Sequence, residues 1–330
     1  MGWLPQKYEY GAFDKPNQRI LLMPELFSKT LRLMGNRFSI TVLSENQKGG
    51  DEKIQLAIDE ISRIERLLTT FSEDSHTNRI NQNAGIEPVK VDQEVIDLIL
   101  RAQKISDLTE GLFDLSYGSI DKSFWNFDKK MTTLPDLDLA REKVSLINYR
   151  NILVNENEST VFLKEKGMRI GFGGIGKGYA ADRAAKILGE AGVQSGIVNA
   201  SGDLITWGNQ PNGQPWNIQL AHPDAPNTAF SKMNISNLAV ATSGNYEKYV
   251  IIGGKRYSHT IHPKTGMPVE GLKSVTVICP MAELADALAT PLSIMGVSES
   301  LNMINQMKGI ACILVNNENK VFTSDNIQTD

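Results

Sequence analysis

The run Gly171-Phe172-Gly173-Gly174-Ile175-Gly176-Lys177-Gly178-Tyr179-Ala180-Ala181-Asp182 opens with five glycines in eight residues and then turns rich in alanine. Small residues at a bend, followed by good helix formers, predict a tight turn entering a helix over 177–190. Such a turn lets backbone N–H groups approach an anion, and the helix dipole favours negative charge there. As strings, Gly171-x-Gly173-x-x-Gly176 fits a dinucleotide fingerprint, and Gly171-x-x-x-x-Gly176-Lys177 fits most of a P-loop. Context argues against both. The preceding Glu165-Lys166-Gly167-Met168-Arg169-Ile170 alternates polar and apolar, where a Rossmann strand is continuously apolar. The next acid after the following strand, Asp203, comes too late to hold a ribose, and Gly178 stands where a P-loop needs a hydroxyl. On these residues alone, a phosphate cradle and a ligand-free helix start packed by glycine both remain open.

Outward from this stretch, apolar periodicity sets the elements. Phe38, Ile40 and Val42 alternate as in a strand. Ile54, Ala57, Ile61, Ile64 and Leu68 recur at helical spacing, with Asp51 as the expected cap. Val95 to Leu108 makes a second amphipathic helix, stopped near Gly111, and 137–147 a third. Two short strands are expected in 151–163, around Asn155-Glu156-Asn157-Glu158. After the glycine stretch come short strands at 197–199, 216–220, 238–241, 249–252 and 274–279, helices at 284–294 and 299–307, and a closing hairpin at 311–315 and 320–323. Strands outnumber helices late in the chain and do not alternate regularly with them. The expected fold class is α+β, not a doubly wound sheet. Residues 1–33 are expected to form an arm over the surface, and 34–330 a single domain, or two intertwined α+β lobes.

The chain has 330 residues, 41% hydrophobic and 22% charged, long enough for a sizeable core. Thirty-four basic against 38 acidic residues give a net charge of −4, so no basic excess points to nucleic acid or a membrane surface. No apolar run reaches the roughly 20 residues that span a bilayer. Cys279 and Cys312 sit in apolar runs and read as buried thiols, too few and too far apart for a zinc or disulfide pattern. Met1 to Tyr8 lacks an apolar signal core, so the chain as written is expected to act in the cytoplasm. A signal ahead of it would make it exported or membrane-anchored.

Seven segments in order resemble the ApbE family of magnesium-dependent FAD:protein FMN transferases. Gly173-Gly174-Ile175-Gly176-Lys177-Gly178-Tyr179-Ala180-Ala181-Asp182 is similar to its Gly-Gly-Ile-Ala-Lys-Gly-Tyr-Ala-x-Asp element. Met34-Gly35 resembles an early Met-Gly. Leu68-Thr69-Thr70-Phe71, Asp74-Ser75 and Arg79-Ile80-Asn81 resemble its Met-Ser-Thr-Tyr, Asp-Ser and Arg-Phe/Ile-Asn. Thr109 to Asp114 resembles Thr-x-Gly-Ala-Phe-Asp, with Trp125-Asn126-Phe127 where Trp-Gly-Phe is usual. Ala241 to Tyr246, Gly254 to Gly266, and Val275 to Thr290 complete the set. The resemblance spans about Met34 to Gly296. It implies a T-fold-related α+β architecture with mixed sheets, flanking helices and an FAD cleft between two halves. It also implies FAD as substrate, Mg²⁺ as cofactor, and a protein acceptor whose Thr or Ser hydroxyl receives FMN as AMP leaves. The family's target motif is Asp-x-x-Ser-Gly-Ala-Thr, which this chain lacks.

Asp286 and Thr290 are four apart and share a face of any helix. A carboxylate and a hydroxyl there are hard oxygen donors of the kind Mg²⁺ accepts. Apolar neighbours argue against a merely solvated Asp286, while Pro291 is expected to kink the helix. The resemblance makes Asp286 and Thr290 metal ligands together with Gly174, through its carbonyl. It makes Lys177, Asp114, Met34, Thr69, Thr70, Phe71 and Ile261 FAD-contacting residues. On the residues alone, Lys177 also reads as a surface lysine, Asp114 as a turn cap, and Met34 and Phe71 as core. His259 could take the incoming hydroxyl's proton or orient phosphate, and a lone histidine is as readily structural. His259-x-x-His262 has no third ligand at zinc spacing.

Four positions depart from the family pattern: Gly171-Phe172-Gly173 for Asp-Leu-Gly, His262 for Asp, Phe71 for Tyr, and Ser201 for Gly. Two further functions therefore stand beside transfer. One is an FAD pyrophosphatase giving FMN and AMP. The other is an FAD-binding protein with weakened catalysis.

Overall fold

The computed structural model describes residues 24–121, 124, 125, 127, 131–222, 225–244 and 249–327. Asn126, Asn245 and Tyr246 of the quoted segments lie outside the described residues. The first half runs β1 (Glu25–Leu33), β2 (Asn36–Ser44), α1 (Gln47–Leu68), α2 (His76–Gln82), β3 (Val89–Lys90), α3 (Gln93–Leu108), α4 (Leu137–Lys143), β4 (Ile152–Asn155) and β5 (Thr160–Leu163). Then come α5 (Gly176–Glu190), β6 (Gly196–Ala200), β7 (Asp203–Trp207), β8 (Trp216–His222), β9 (Ala225–Ile235) and β10 (Ala239–Gly244). The chain closes with β11 (Tyr249–Ile252), β12 (Lys255–Ile261), β13 (Pro268–Glu270), β14 (Leu272–Cys279), α6 (Ala282–Met295), α7 (Val297–Asn305), β15 (Ala311–Asn316) and β16 (Val321–Thr323).

An antiparallel sheet of eight strands, ordered β1-β2-β6-β7-β10-β14-β15-β16, forms the frame. Helices α1, α5 and α6 pack on one face. Alternation along the strands decides which side chains meet them. Val275, Val277 and Cys279 of β14 join the helix-side core, whereas Ile278 joins Trp216 and Ile218 of the β8–β9 ribbon on the other face. Both cysteines are buried thiols. Smaller sheets, β3-β5-β4 and β11-β12-β13, complete the α+β architecture.

The structure corrects three local expectations. Of the expected arm, residues 1–23 lie outside the described residues, and 25–33 are β1, paired along its length with β2, with Phe27 packed on Gly50 of α1. The cap of α1 is Asn46, whose side chain accepts the Gly49 N–H at 2.9 Å, so the helix starts before Asp51. Helix α4 ends at Lys143, short of the expected 147.

Candidate functional site: a charge centre under a glycine bend

The glycine bend is pinned on both sides before α5 begins. Asn81 of α2 donates to the Ile170 carbonyl at 3.0 Å and accepts the Ile170 N–H at 2.7 Å. Gly171 N–H donates to the Leu115 carbonyl at 3.0 Å. The glycines then serve two different ends. A Cβ on Gly178 would lie 2.1 Å from the Ala282 carbonyl oxygen, so only glycine lets α5 cross α6 this closely. A Cβ on Gly171 or Gly173 would meet nothing within 4 Å, and neither residue has a positive φ. Among the described residues nothing requires glycine there, and that side of the bend faces open space.

The crossing assembles a charge centre. Asp182 of α5 caps α6, its two oxygens accepting the Ala282 and Glu283 N–H groups at 2.9 Å each. One turn into α6, Asp286 Oδ2 accepts the Gly178 N–H at 3.0 Å. That places a carboxylate at the positive end of the α5 dipole. Lys177 Nζ lies 3.3 and 3.4 Å from the two Asp286 oxygens, 2.9 Å from Asp203 Oδ2, and 3.4 Å from the Gly173 carbonyl oxygen. Asp203 opens β7 and is buried, as is Asp286.

Two buried carboxylates thus share one ammonium, and the protonation of the group follows. Burial alone would lower Lys177, but Asp286 and Asp203 together hold it above the ordinary lysine value. Burial and the Asp286 charge push Asp203 up to about 7, against Lys177 and a Thr242 backbone hydrogen bond. Burial pushes Asp182 up to about 6, against its two amide bonds.

The remaining expected site residues divide. Met34 sits at a positive φ of 49° in the β1–β2 turn, and its methyl end lies 3.8 Å from the Cβ position of Gly176, as does Leu68 Cδ1. Phe113 lies against Gly174 at 3.6 Å by the same measure. The loop after Leu68 is therefore beside the bend, and α2 holds it there. Ser75 donates to the Thr69 carbonyl at 2.6 Å and Thr77 to the Leu68 carbonyl at 2.9 Å. Thr69 Oγ1 accepts the Phe71 N–H at 3.1 Å, and Thr70 is half-buried. Phe71 is 97% exposed, which overturns its reading as core.

Asp114 is committed within the chain. Oδ1 accepts from Ser116 N–H at 2.7 Å and Ser116 Oγ at 2.6 Å, and Oδ2 accepts from Tyr149 N–H at 2.7 Å. It caps the turn Leu115–Ser119. Ile261 is buried with Ile120, Trp125 and Val144, and its N–H donates to Tyr117 Oη at 3.0 Å. His259 is exposed on β12. His262 Nδ1 accepts the Lys264 N–H at 3.1 Å and shapes the turn to Met267; burial lowers its proton affinity. Thr290 is half-buried one turn beyond Asp286, and its carbonyl accepts from Ser293 Oγ at 2.7 Å. Sequence reasoning passed over Asp203 and Asp182 as site-building residues, although Asp182 lay in the quoted motif at the i+4 position from Gly178.

Fold and site define a class: an α+β protein whose helix-entry bend stands open above a buried acid–lysine–acid centre. Comparison with known proteins gives the class its family. The ApbE family model matches residues 34–314. An FAD:protein FMN transferase of Klebsiella pneumoniae is 31% identical over 301 residues, 91% of this chain and 92% of that one. Another from Salmonella typhimurium is 29% identical over 302 residues, covering 88% and 84%. The crystal structure of the apbe protein from Thermotoga maritima superposes with a TM-score of 0.81 at 28% identity, covering 91% of this chain and 97% of that chain. The chain belongs to the ApbE family.

Proposed function

We propose that the chain transfers FMN from FAD to a hydroxyl of an acceptor protein and releases AMP. The observation that carries this is the glycine pair at 171 and 173, small without internal need, beside the Lys177 centre. The relatives named above as FAD:protein FMN transferases support the same chemistry. Phosphoryl transfer asks mainly for positioning and charge neutralisation. The open bend offers backbone to the diphosphate, Lys177 offers charge, and Phe71 offers an exposed aromatic face for a flavin or adenine ring.

The donor set fits Mg²⁺. Asp286, the Thr290 hydroxyl and the Gly174 carbonyl are hard oxygens, and with both carboxylates ionised the centre carries one more negative than positive charge. Among the described residues no three His, Cys, Asp or Glu side chains cluster as a metal site, so substrate phosphate and water would complete the shell. When bound, the ion would neutralise phosphate charge. The acceptor hydroxyl oxygen attacks the FMN phosphorus, the bond to the AMP oxygen breaks, and AMP leaves with that electron pair. His259 would take the hydroxyl proton.

Among the described residues no helix is long and apolar enough to cross a membrane. The test is AMP release from FAD with Mg²⁺, with and without a peptide bearing Asp-x-x-Ser-Gly-Ala-Thr. Release that requires the peptide supports transfer. Equal release without it indicates a pyrophosphatase, and FAD binding with no release a protein that only binds.

A further inference from the structure

The charge centre is lopsided. Lys177 Nζ lies 2.9 Å from Asp203 but 3.3 and 3.4 Å from the oxygens of Asp286. The ammonium bonds to both carboxylates and sits nearer Asp203. Asp203 is itself fixed. It follows the tight turn Ser201-Gly202, both at positive φ, and accepts a backbone hydrogen bond from Thr242 on neighbouring β10. Asp286 is held from the other side by the Gly178 N–H at Oδ2, while Lys177 lies across both of its oxygens.

An ammonium and a divalent cation compete for the same carboxylate oxygens. A lysine seated fully on Asp286 would occupy the place a metal needs. We propose that Asp203 is a positioning residue: by taking the Lys177 ammonium as its principal ion pair, it keeps Asp286 open to the divalent cation. Asp203 touches neither metal nor substrate in this role; it acts through Lys177. The inference rests on Asp286 holding the metal, as set out under the proposed function.

Mn²⁺ binding, followed by the loss of the free-ion EPR signal in the presence of FAD, reads the effect without turnover. Asp203→Asn is expected to weaken Mn²⁺ binding about tenfold or more, a loss typical of groups that orient a ligand. Removing a negative charge would by itself weaken a cation, so the same substitution is made in a Lys177→Met background. Acting through the lysine, Asp203→Asn then changes affinity by less than about twofold, and the double-mutant cycle shows strong coupling. An equal loss in both backgrounds, or wild-type affinity in Asp203→Asn, overturns the proposal. Failure of the unaltered protein to bind Mn²⁺ is a separate result: it removes the metal role of Asp286, and the proposal with it. Should Lys177→Met not fold, a crystal structure of Asp203→Asn decides. Nζ within about 3.0 Å of Asp286 supports the proposal, and Nζ remaining farther off overturns it.

Discussion

Replacing Gly178 by alanine strikes the joint on which the charge centre hangs. The new Cβ would lie 2.1 Å from the Ala282 carbonyl oxygen, 2.5 Å from its carbon and 2.8 Å from the Glu283 nitrogen. All three are backbone of the first turn of α6 and cannot swing aside as a side-chain tip would. Relief asks the helices to part by roughly 1 Å, and overpacking of this kind costs about 1–3 kcal/mol. The same movement pulls Ala282 and Glu283 from the Asp182 cap, worth about 1 kcal/mol. It also stretches the Gly178 N–H bond to Asp286, of a kind worth about 1.5–3 kcal/mol. These losses overlap, so the expected cost is about 3–5 kcal/mol, or a Tm drop of roughly 4–7 °C for a chain of this size. Gly173→Ala is the contrast. Its Cβ meets nothing, so stability holds or rises by up to about 1 kcal/mol. The methyl does fill the face offered to the diphosphate, so FAD affinity falls. Thermal melts give the first quantity and quenching of flavin fluorescence the second. Gly178→Ala melting with the unaltered protein, or Gly173→Ala melting low with full FAD affinity, would refute the division of labour between the two glycines.

Four shorter expectations accompany it. Phe71→Ala should leave stability within about 0.5 kcal/mol of its original value, because an exposed ring packs on nothing, yet weaken FAD binding in the same fluorescence titration. Asp114→Ala should instead lower urea stability by about 2–4 kcal/mol, since it orphans the Ser116 and Tyr149 N–H groups in a buried turn; a loss below about 1 kcal/mol would contradict the capping role. Asp286→Asn should cut AMP release at saturating FAD by about 100-fold or more, beyond the loss typical of outer-shell groups, and unchanged turnover would remove Asp286 from the reaction. The contribution of Asp203 and Asp182 to metal-free stability should fall as pH rises from about 4 to about 7. Asp203 and Asp182 bind protons more tightly folded than unfolded, so their contribution is full below about 4 and lost on passing through about 6 and 7. Melts across that range should show a flatter slope in Asp203→Asn, and an identical slope would refute the assignment.

Much of this was legible in the residues because it is local. Periodicity placed β2, α1, α3 and β14, and the glycine-to-alanine transition placed α5 within one residue. The spacing of Asp286 and Thr290 set them one turn apart on α6, and Pro291 lies inside that helix without ending it before Met295. What the sequence hid was tertiary. Strand β1 alternates weakly and is held by pairing with β2 and by Phe27 against Gly50. Asp203 looks like a turn residue until β7 is laid beside β10, which turns its carboxylate toward a lysine 26 residues earlier. Asp114 matched the family motif, but its neighbours Ser116 and Tyr149 claim both oxygens, and no pattern in the sequence announces Tyr149 as a partner.

The most direct measurement is the intact mass of a Thr-containing acceptor peptide after incubation with the protein, FAD and Mg²⁺, alongside the Asp286→Asn variant. The expected result is one FMN added through the threonine, one AMP released per peptide modified, and neither with the variant. A peptide of unchanged mass, whether or not free FMN and AMP accumulate, would contradict the transfer.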